Sequence, residues 1–166
     1  MLTARLTKQI KKQQGFTLIE LLVVIGILAV LLAITLIAIN PAKQFSQSNN
    51  TKRRSDVNAI LNAIDQYAAD NAGKLPTGIP SAGAVDIGNG AGQADLCDLL
   101  VTTYLAALPS DPKTGNPPSQ VDKTKCTAAG GTYDTGYQVV QNVPDNRVSV
   151  SAPQTELGVP VITVTR

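Results

Sequence analysis

The chain is 166 residues long with a formal net charge of only +2, which leaves room for one modest globular domain plus appendages. Arg5, Lys8, Lys11 and Lys12 give the first fifteen residues four positive charges and no acid, while ten basic and twelve acidic residues share the rest. A nucleic-acid-binding domain would carry its basic excess on the folded part. There is no histidine and no Cys-x-x-Cys pair, so zinc sites and Cys/His or Ser/His catalysis lack their usual parts.

Residues 1–15 (MLTARLTKQIKKQQG) are short and basic, and an apolar run from Phe16 to Ile39 follows at once, interrupted by Glu20 and a few small or hydroxylated residues. As a helix, Leu18 to Ile39 is about 33 Å long, matching the roughly 30 Å hydrocarbon core of a bilayer. The run is longer than the apolar region of an ordinary secretory signal, and no Ala-x-Ala-like site follows it. The basic residues ahead of it place the N-terminus in the cytoplasm and the remainder on the exported side. Residues 16–40 therefore read as a membrane-spanning helix.

Asn40-Pro41 interrupts the run, because proline removes a backbone donor and crowds the preceding turn. Helical spacing then resumes. Val57, Ile60, Leu61, Ile64, Tyr67 and Ala68 recur at the intervals that put them on one face, with Asp56, Asn62, Asp65 and Asp70 largely on the other. Gly73 and Pro76 are stop signals. The pattern predicts a helix from about Phe16 to Ala72, bent or loosened at Pro41, with an amphipathic second part over 41–73.

Residues 74–166 read as the globular part. Gly78 to Gly92 reads as a loop. Asp95 to Leu108 predicts a short helix with Leu96, Leu99, Leu100 and Tyr104 inward. Pro109–Pro112 and Gly115–Pro118 carry turn chemistry. Three runs favour strands: Tyr137–Val143, Arg147–Ala152 and Val159–Thr165, the first two joined by Pro144-Asp145-Asn146. Pro160 suits an edge strand. The expected fold class is α+β, with the amphipathic helix covering a small antiparallel three-stranded sheet. In an exported chain Cys97 and Cys126 most simply form one disulfide; two separate buried thiols are the alternative.

The stretch Lys11–Ile25, KKQQGFTLIELLVVI, closely resembles the leader junction of type IV pilins and type II secretion pseudopilins. That family has a basic leader ending in glycine, then phenylalanine, then an apolar helix with glutamate at its fifth mature residue. Gly15, Phe16, Thr17, Leu18, Ile19 and Glu20 reproduce the pattern residue by residue. The resemblance is tight over about Lys11–Val30 and loose beyond. It implies cleavage between Gly15 and Phe16 by a prepilin peptidase, which also methylates the new Phe16 amine, so that residues 1–15 are a removed leader. Glycine suits the scissile position because an enzyme meets no side chain there.

An ionised carboxylate near the centre of a membrane helix costs about 2.5–3.5 kcal/mol, less near the edge. The resemblance implies that Glu20 is compensated by the Phe16 ammonium, of its own chain or a neighbour, which sets the stagger between helices. A solvated charge near the helix N-terminus is the alternative reading. Pro41 resembles the proline around which family helices bend or melt, although it comes later here; a simple bend at the membrane exit is the other reading.

Tyr104–Pro112 (YLAALPSDP) resembles a segment of major pseudopilins, but the tryptophan-glycine that usually follows is replaced by Lys113-Thr114-Gly115. The acidic calcium loop of major pseudopilins has no good match, and Asp111, Asp122, Asp134 and Asp145 read as turn and capping residues. No metal and no cofactor is expected. The cysteine pair resembles the disulfide loop of some pilins.

The resemblance implies a pilin-like fold and a structural, non-enzymatic subunit of a type IV pilus or similar filament. Its expected partners are further copies of itself, the peptidase/methyltransferase, an inner-membrane assembly platform with its ATPase, and membrane lipid before assembly, with no direct nucleic-acid binding. The expected location is a bacterial inner membrane in single-pass orientation, then a periplasmic or surface filament. The alternatives are a type II secretion pseudopilin, or a single-span anchor for an exported binding domain that never polymerises.

Overall fold

A computed structural model describes residues 15–126, 132–143 and 145–166. Residues 1–14 of the basic leader and Pro144 of the anticipated hairpin turn lie outside the described residues. The chain divides at Pro41 into two compact units.

The first unit is one helix, α1 (Leu18–Ile39, 22 residues). It starts where it does because Thr17 is extended (φ −79°, ψ 153°) and caps it, supplying an oxygen to one of the amide groups that have no intrahelical partner. It ends at Asn40, whose left-handed backbone (φ 46°, ψ 80°) breaks the ladder and which asparagine adopts more readily than most residues. No residue of α1 is buried, so it exposes apolar surface on every side, including Leu21, Ile25, Leu28, Leu32 and Leu36. Apart from Glu20 in its first turn, an apolar surface of this length matches lipid or other helices, not water. One helix, α1, among the described residues is long and apolar enough to cross a membrane.

The second unit opens with α2 (Pro41–Asp70). Pro41 is the first helical residue, where its missing N–H is not needed. The anticipated helix is therefore two helices with the break at Asn40. The apolar face of α2 forms as its spacing predicts: Val57, Ile60, Leu61, Ala63 and Ile64 are buried, while Tyr67 packs on the core from its edge. The end of α2 is wrapped by Ala72 (φ 54°) and Gly73 (φ 82°), the Gly73 N–H reaching back to the Ala68 carbonyl at 2.8 Å. This is the six-to-one closure of a left-handed cap.

The sheet has four strands where three were expected. β1 (Val85–Gly88), β2 (Asp134–Asn142), β3 (Arg147–Ala152) and β4 (Ile162–Thr165) run antiparallel in the order β1-β2-β3-β4. β1 lies inside the glycine-rich stretch read as a loop. Val85 and Asp86 pair with Val139 and Gln138, a long-range pairing that gives the short segment its structure. The register aligns Val139, Val150 and Val164 across three strands, and Tyr137, Val139 and Val150 join the buried face of α2 in one core. β4 starts later than anticipated, leaving Pro160 ahead of it and β4 on the sheet edge.

The helix expected over Asp95–Leu108 shrinks to one turn, α3 (Cys97–Leu100). Val101 leaves it extended and Thr102 sits at φ 79°, and the Thr102 N–H donates to the Leu105 carbonyl in a turn of its own. Leu96 and Leu100 are nonetheless buried as expected, Leu99 and Tyr104 half-buried. A second single turn, α4 (Lys123–Cys126), brings Cys126 to Cys97. The two are disulfide-bonded with Cα atoms 5.5 Å apart, and separate thiols are excluded.

Candidate assembly site

The residues singled out by the leader motif fall at the start of α1. Gly15, Phe16 and Thr17 precede the first helical residue. The Gly15–Phe16 bond therefore lies outside the helical hydrogen-bond ladder, and Phe16 is 91% exposed. One turn on, Glu20 closes a reciprocal capping box. Its Oε2 accepts from the Thr17 N–H at 2.8 Å and from the Thr17 hydroxyl at 2.6 Å, while the Glu20 N–H donates to Thr17 Oγ1 at 3.3 Å. Threonine at the cap and glutamate three residues later is the sequence signature of this arrangement. The box holds the carboxylate at the positive end of the helix dipole, beside the residue whose α-amine would be created by cleavage at Gly15.

Pro41 starts α2 rather than sitting inside one helix. Cys97 and Cys126 lie in the second unit and pin the two single-turn helices together. The chemistry at the start of α1 involves neither.

A polar cluster in the second unit was not anticipated. Arg53, in the part of α2 with almost no apolar residues, has no exposed surface. Its Nε and Nη2 donate to Asp111 Oδ2 and Oδ1 at 2.6 and 3.2 Å, and Nη1 donates to Glu156 Oε1 at 3.1 Å and to Asn50 Oδ1 at 3.0 Å. Asp111 is equally buried and also accepts from the Lys113 and Thr114 backbone N–H groups. Glu156 further accepts from Lys113 Nζ at 2.7 Å and Asn49 Nδ2 at 2.8 Å.

Burial works against ionising both sides of the cluster, and the hydrogen bonds and charges win. Arg53 is pulled down by desolvation but raised more by Asp111 and Glu156. Asp111 is pushed up by desolvation but held below its ordinary value by Arg53 and the two backbone donors. Glu156 is lowered to about 2, chiefly by Lys113 and then by Asn49 and Ser46. The neighbouring Tyr137 hydroxyl donates to Asp56 at 2.7 Å and is raised by desolvation and then by that carboxylate. The cluster ties α2 to the turns at 110–114 and 155–159. The only hint in sequence was the LPSDP segment, with nothing pointing to Arg53 or Glu156.

Of the aspartates read as turn and capping residues, Asp111 is the buried partner of Arg53, Asp134 opens β2 and Asp122 caps the single turn α4. Asp122 accepts from the Thr124 hydroxyl and the Lys125 N–H, and Asp134 from Gln93 and the Gly136 N–H. Among the described residues no three His, Cys, Asp or Glu side chains are grouped to hold a metal ion.

Comparison with known proteins bears on the same segment. Residues 10–36 match the family model described as the prokaryotic N-terminal methylation motif. The chain is similar to type II secretion system core protein G of Aeromonas hydrophila, 39% identical over 69 residues that make up 42% of this chain and 46% of that protein. It is also similar to the protein of that name from Escherichia coli K12, 42% identical over 60 residues, or 36% of this chain and 40% of the relative. The Pseudomonas aeruginosa protein is 40% identical over 63 residues, or 38% and 43%. The chain thus spans less than half the length of these relatives. No solved structure matches it significantly. Both the motif and these relatives are similarities of the methylation-motif helix and the segment after it.

Proposed function

We propose that this chain is a structural subunit of a type IV pilus or pilus-like filament, stored in the membrane through α1 and assembled by packing α1 against its counterparts. One observation carries the reading. A 22-residue helix, apolar on all sides, starts with a single carboxylate held in a capping box one turn from the Gly15–Phe16 junction. Removing the basic leader leaves the apolar helix attached, so the product stays in the membrane. In a filament, Leu, Ile and Val of α1 exchange lipid contacts for contacts with neighbouring helices.

In this reading Phe16 becomes the methylated N-terminus. Its ammonium pairs with Glu20 of an adjacent copy in a low-dielectric core, where the attraction is strong. The pairing would fix the axial offset between helices, because a helix surface displaced from its partner carboxylate leaves a desolvated charge uncompensated. Asn40-Pro41 separates the filament-forming helix from the exported unit. The partners this requires are a prepilin peptidase that also methylates, an assembly platform and its ATPase. The role is structural, not enzymatic.

The curated relatives are named as secretion-system proteins, which favours a secretion pseudopilus as the second reading, built on the same helix chemistry. Intact-mass and N-terminal mass spectrometry of the protein from membranes of a host with pilin-processing machinery tests both. The expected result is a chain beginning at Phe16 with one added methyl group. A chain that keeps residues 1–15 and stays monomeric in that host refutes both and leaves a plain membrane anchor.

A further inference from the structure

Between Glu20 and Asp56 the chain carries no acidic residue. The first charged side chain beyond α1 is Lys43, and Phe45 stands just after it. α2 begins at Pro41, and residues 41–45 are all exposed. Phe45 is 71% exposed and belongs neither to the core nor to the apolar residues packed against it. Among the described residues no large apolar side chain of the second unit is more exposed. A single apolar residue on a surface needs no explanation in general. This one is distinguished by where the chain puts it.

Covalent connectivity fixes that place. As a helix α1 is about 33 Å long, against roughly 30 Å of hydrocarbon in a bilayer. When α1 spans, Ile39 therefore comes at the edge of the hydrocarbon. The headgroup layer beyond it is roughly 5–8 Å thick. Pro41 to Phe45 is about 6 Å along α2, and Ile39 to Phe45 is at most about 21 Å of chain. Helical side chains lean toward the helix N-terminus, so the Phe45 ring and the Lys43 stem lean back toward the joint with α1.

The chemistry suits the same layer. A phenylalanine ring at the headgroup–acyl boundary is removed from water without leaving a polar group unmet. A lysine close to a membrane helix keeps its stem on the apolar side and its ammonium among the phosphates. With no acid from Leu21 to Ser55, the emerging segment carries nothing to repel an anionic surface.

We propose that Phe45 and Lys43 form an interfacial anchor, the ring seated at the headgroup–acyl boundary of the leaflet that α1 exits and the ammonium among its phosphates. The partner is an anionic phospholipid surface. The anchor sets the depth at which the stored chain rests, and its ring leaves lipid when the chain is withdrawn into a filament. It rests on membrane storage through α1 and adds a contact beyond that helix.

The chain has no tryptophan, so Phe45→Trp gives a single reporter in the full-length protein. It is reconstituted at high lipid excess in vesicles of phosphatidylethanolamine and phosphatidylglycerol, with a nitroxide on the headgroup or midway down an acyl chain. Emission should be blue-shifted from that of tryptophan in water. The headgroup nitroxide should quench Phe45→Trp about twofold or more beyond Ser55→Trp, which lies about 21 Å along α2 from Pro41 and so outside that layer. Adding Lys43→Gln should weaken this quenching in the anionic vesicles and not in phosphatidylcholine; equal values with and without Lys43 remove it from the anchor. Emission at the wavelength of water, quenching no stronger than at Ser55→Trp, or a blue shift that appears only at low lipid excess, where a second copy covers the residue, overturns the proposal. Ile37→Trp separates the two levels. If the acyl-chain nitroxide leaves it unquenched, α1 is not in the bilayer and the membrane reading has failed; if it is quenched while Phe45→Trp stays in water, only the anchor is lost.

Discussion

Replacing Arg53 with alanine should be among the most damaging single changes in the second unit. The substitution removes both nitrogens that clamp Asp111 and leaves that carboxylate with no exposed surface and only the Lys113 and Thr114 amides. Breaking a buried ion pair from one side costs about 3–5 kcal/mol, because the remaining charge stays desolvated. For a unit of about 125 residues, each kcal/mol moves the melting temperature by roughly 3–5 °C, so the expected drop is roughly 10–20 °C. The full-length chain in mild detergent can be melted while the tyrosine near-ultraviolet signal is followed, since Tyr137 adjoins the cluster. Asp111→Asn added to Arg53→Ala should recover part of the loss by removing the orphaned charge. Arg53→Lys should fall between, since an ammonium cannot reproduce the two-pronged contact. A single mutant melting within about 3 °C of the parent would show that the cluster does not hold α2 to the two turns.

The same cluster sets the acid response. Asp111 and Glu156 both have depressed pKa values in the folded chain, so their contribution is complete above the ordinary carboxylate range and is lost as pH falls from about 4.5 toward 2. Melting temperature measured against pH should slope down through that window and do so less steeply in Arg53→Ala; a flat parent profile would contradict the assignment. Replacing Cys97 and Cys126 together by serine opens a loop of 29 residues and should lower stability by about 3–4 kcal/mol on the chain-entropy estimate, read as the difference in urea midpoint between parent and variant. Glu20→Ala should leave membrane insertion intact, as carbonate-resistant pelleting shows, yet reduce filament yield severely; full assembly of that variant refutes the pairing role. Tyr137→Phe should cost about 1.5–3 kcal/mol, the worth of one hydrogen bond to a charged acceptor, and a neutral result would mean that Asp56 is served by Lys52 and solvent.

The parts legible in the sequence were those governed by neighbours along the chain. The length and apolarity of α1, the Thr17–Glu20 spacing, the proline at 41 and the 3.6-residue rhythm from Val57 to Ile64 are local patterns, and each of those helices follows from them. The leader motif was equally local, which is why Gly15, Phe16 and Glu20 could be named before any coordinates. Two local signals misled. Leu96, Leu99 and Leu100 have helical spacing and two of the three are buried, but Val101 and Thr102 turn the chain away after one turn. The glycines around Val85–Gly88 suggested a loop, although a strand of four residues needs only a partner to exist.

That partner is the dividing line. β1 is made by pairing with β2, whose residues lie some fifty positions away, and a segment that short has no rhythm of its own to betray it. Arg53 reads as one more cation on a polar helix half until folding brings Asp111 and Glu156 to it from 58 and 103 residues away. The left-handed turn at Leu157–Gly158 is met by Asn50 and Arg53 through Glu156, from more than a hundred residues away. Sequence alone thus determined the two long helices, the membrane-compatible segment and the match to the N-terminal methylation motif, since these depend on residues close together in the chain. The edge strand, the buried ion cluster and the bracing of the turn at Leu157–Gly158 were decided by tertiary structure, because desolvation and long-range pairing have no signature at the single residue where they act.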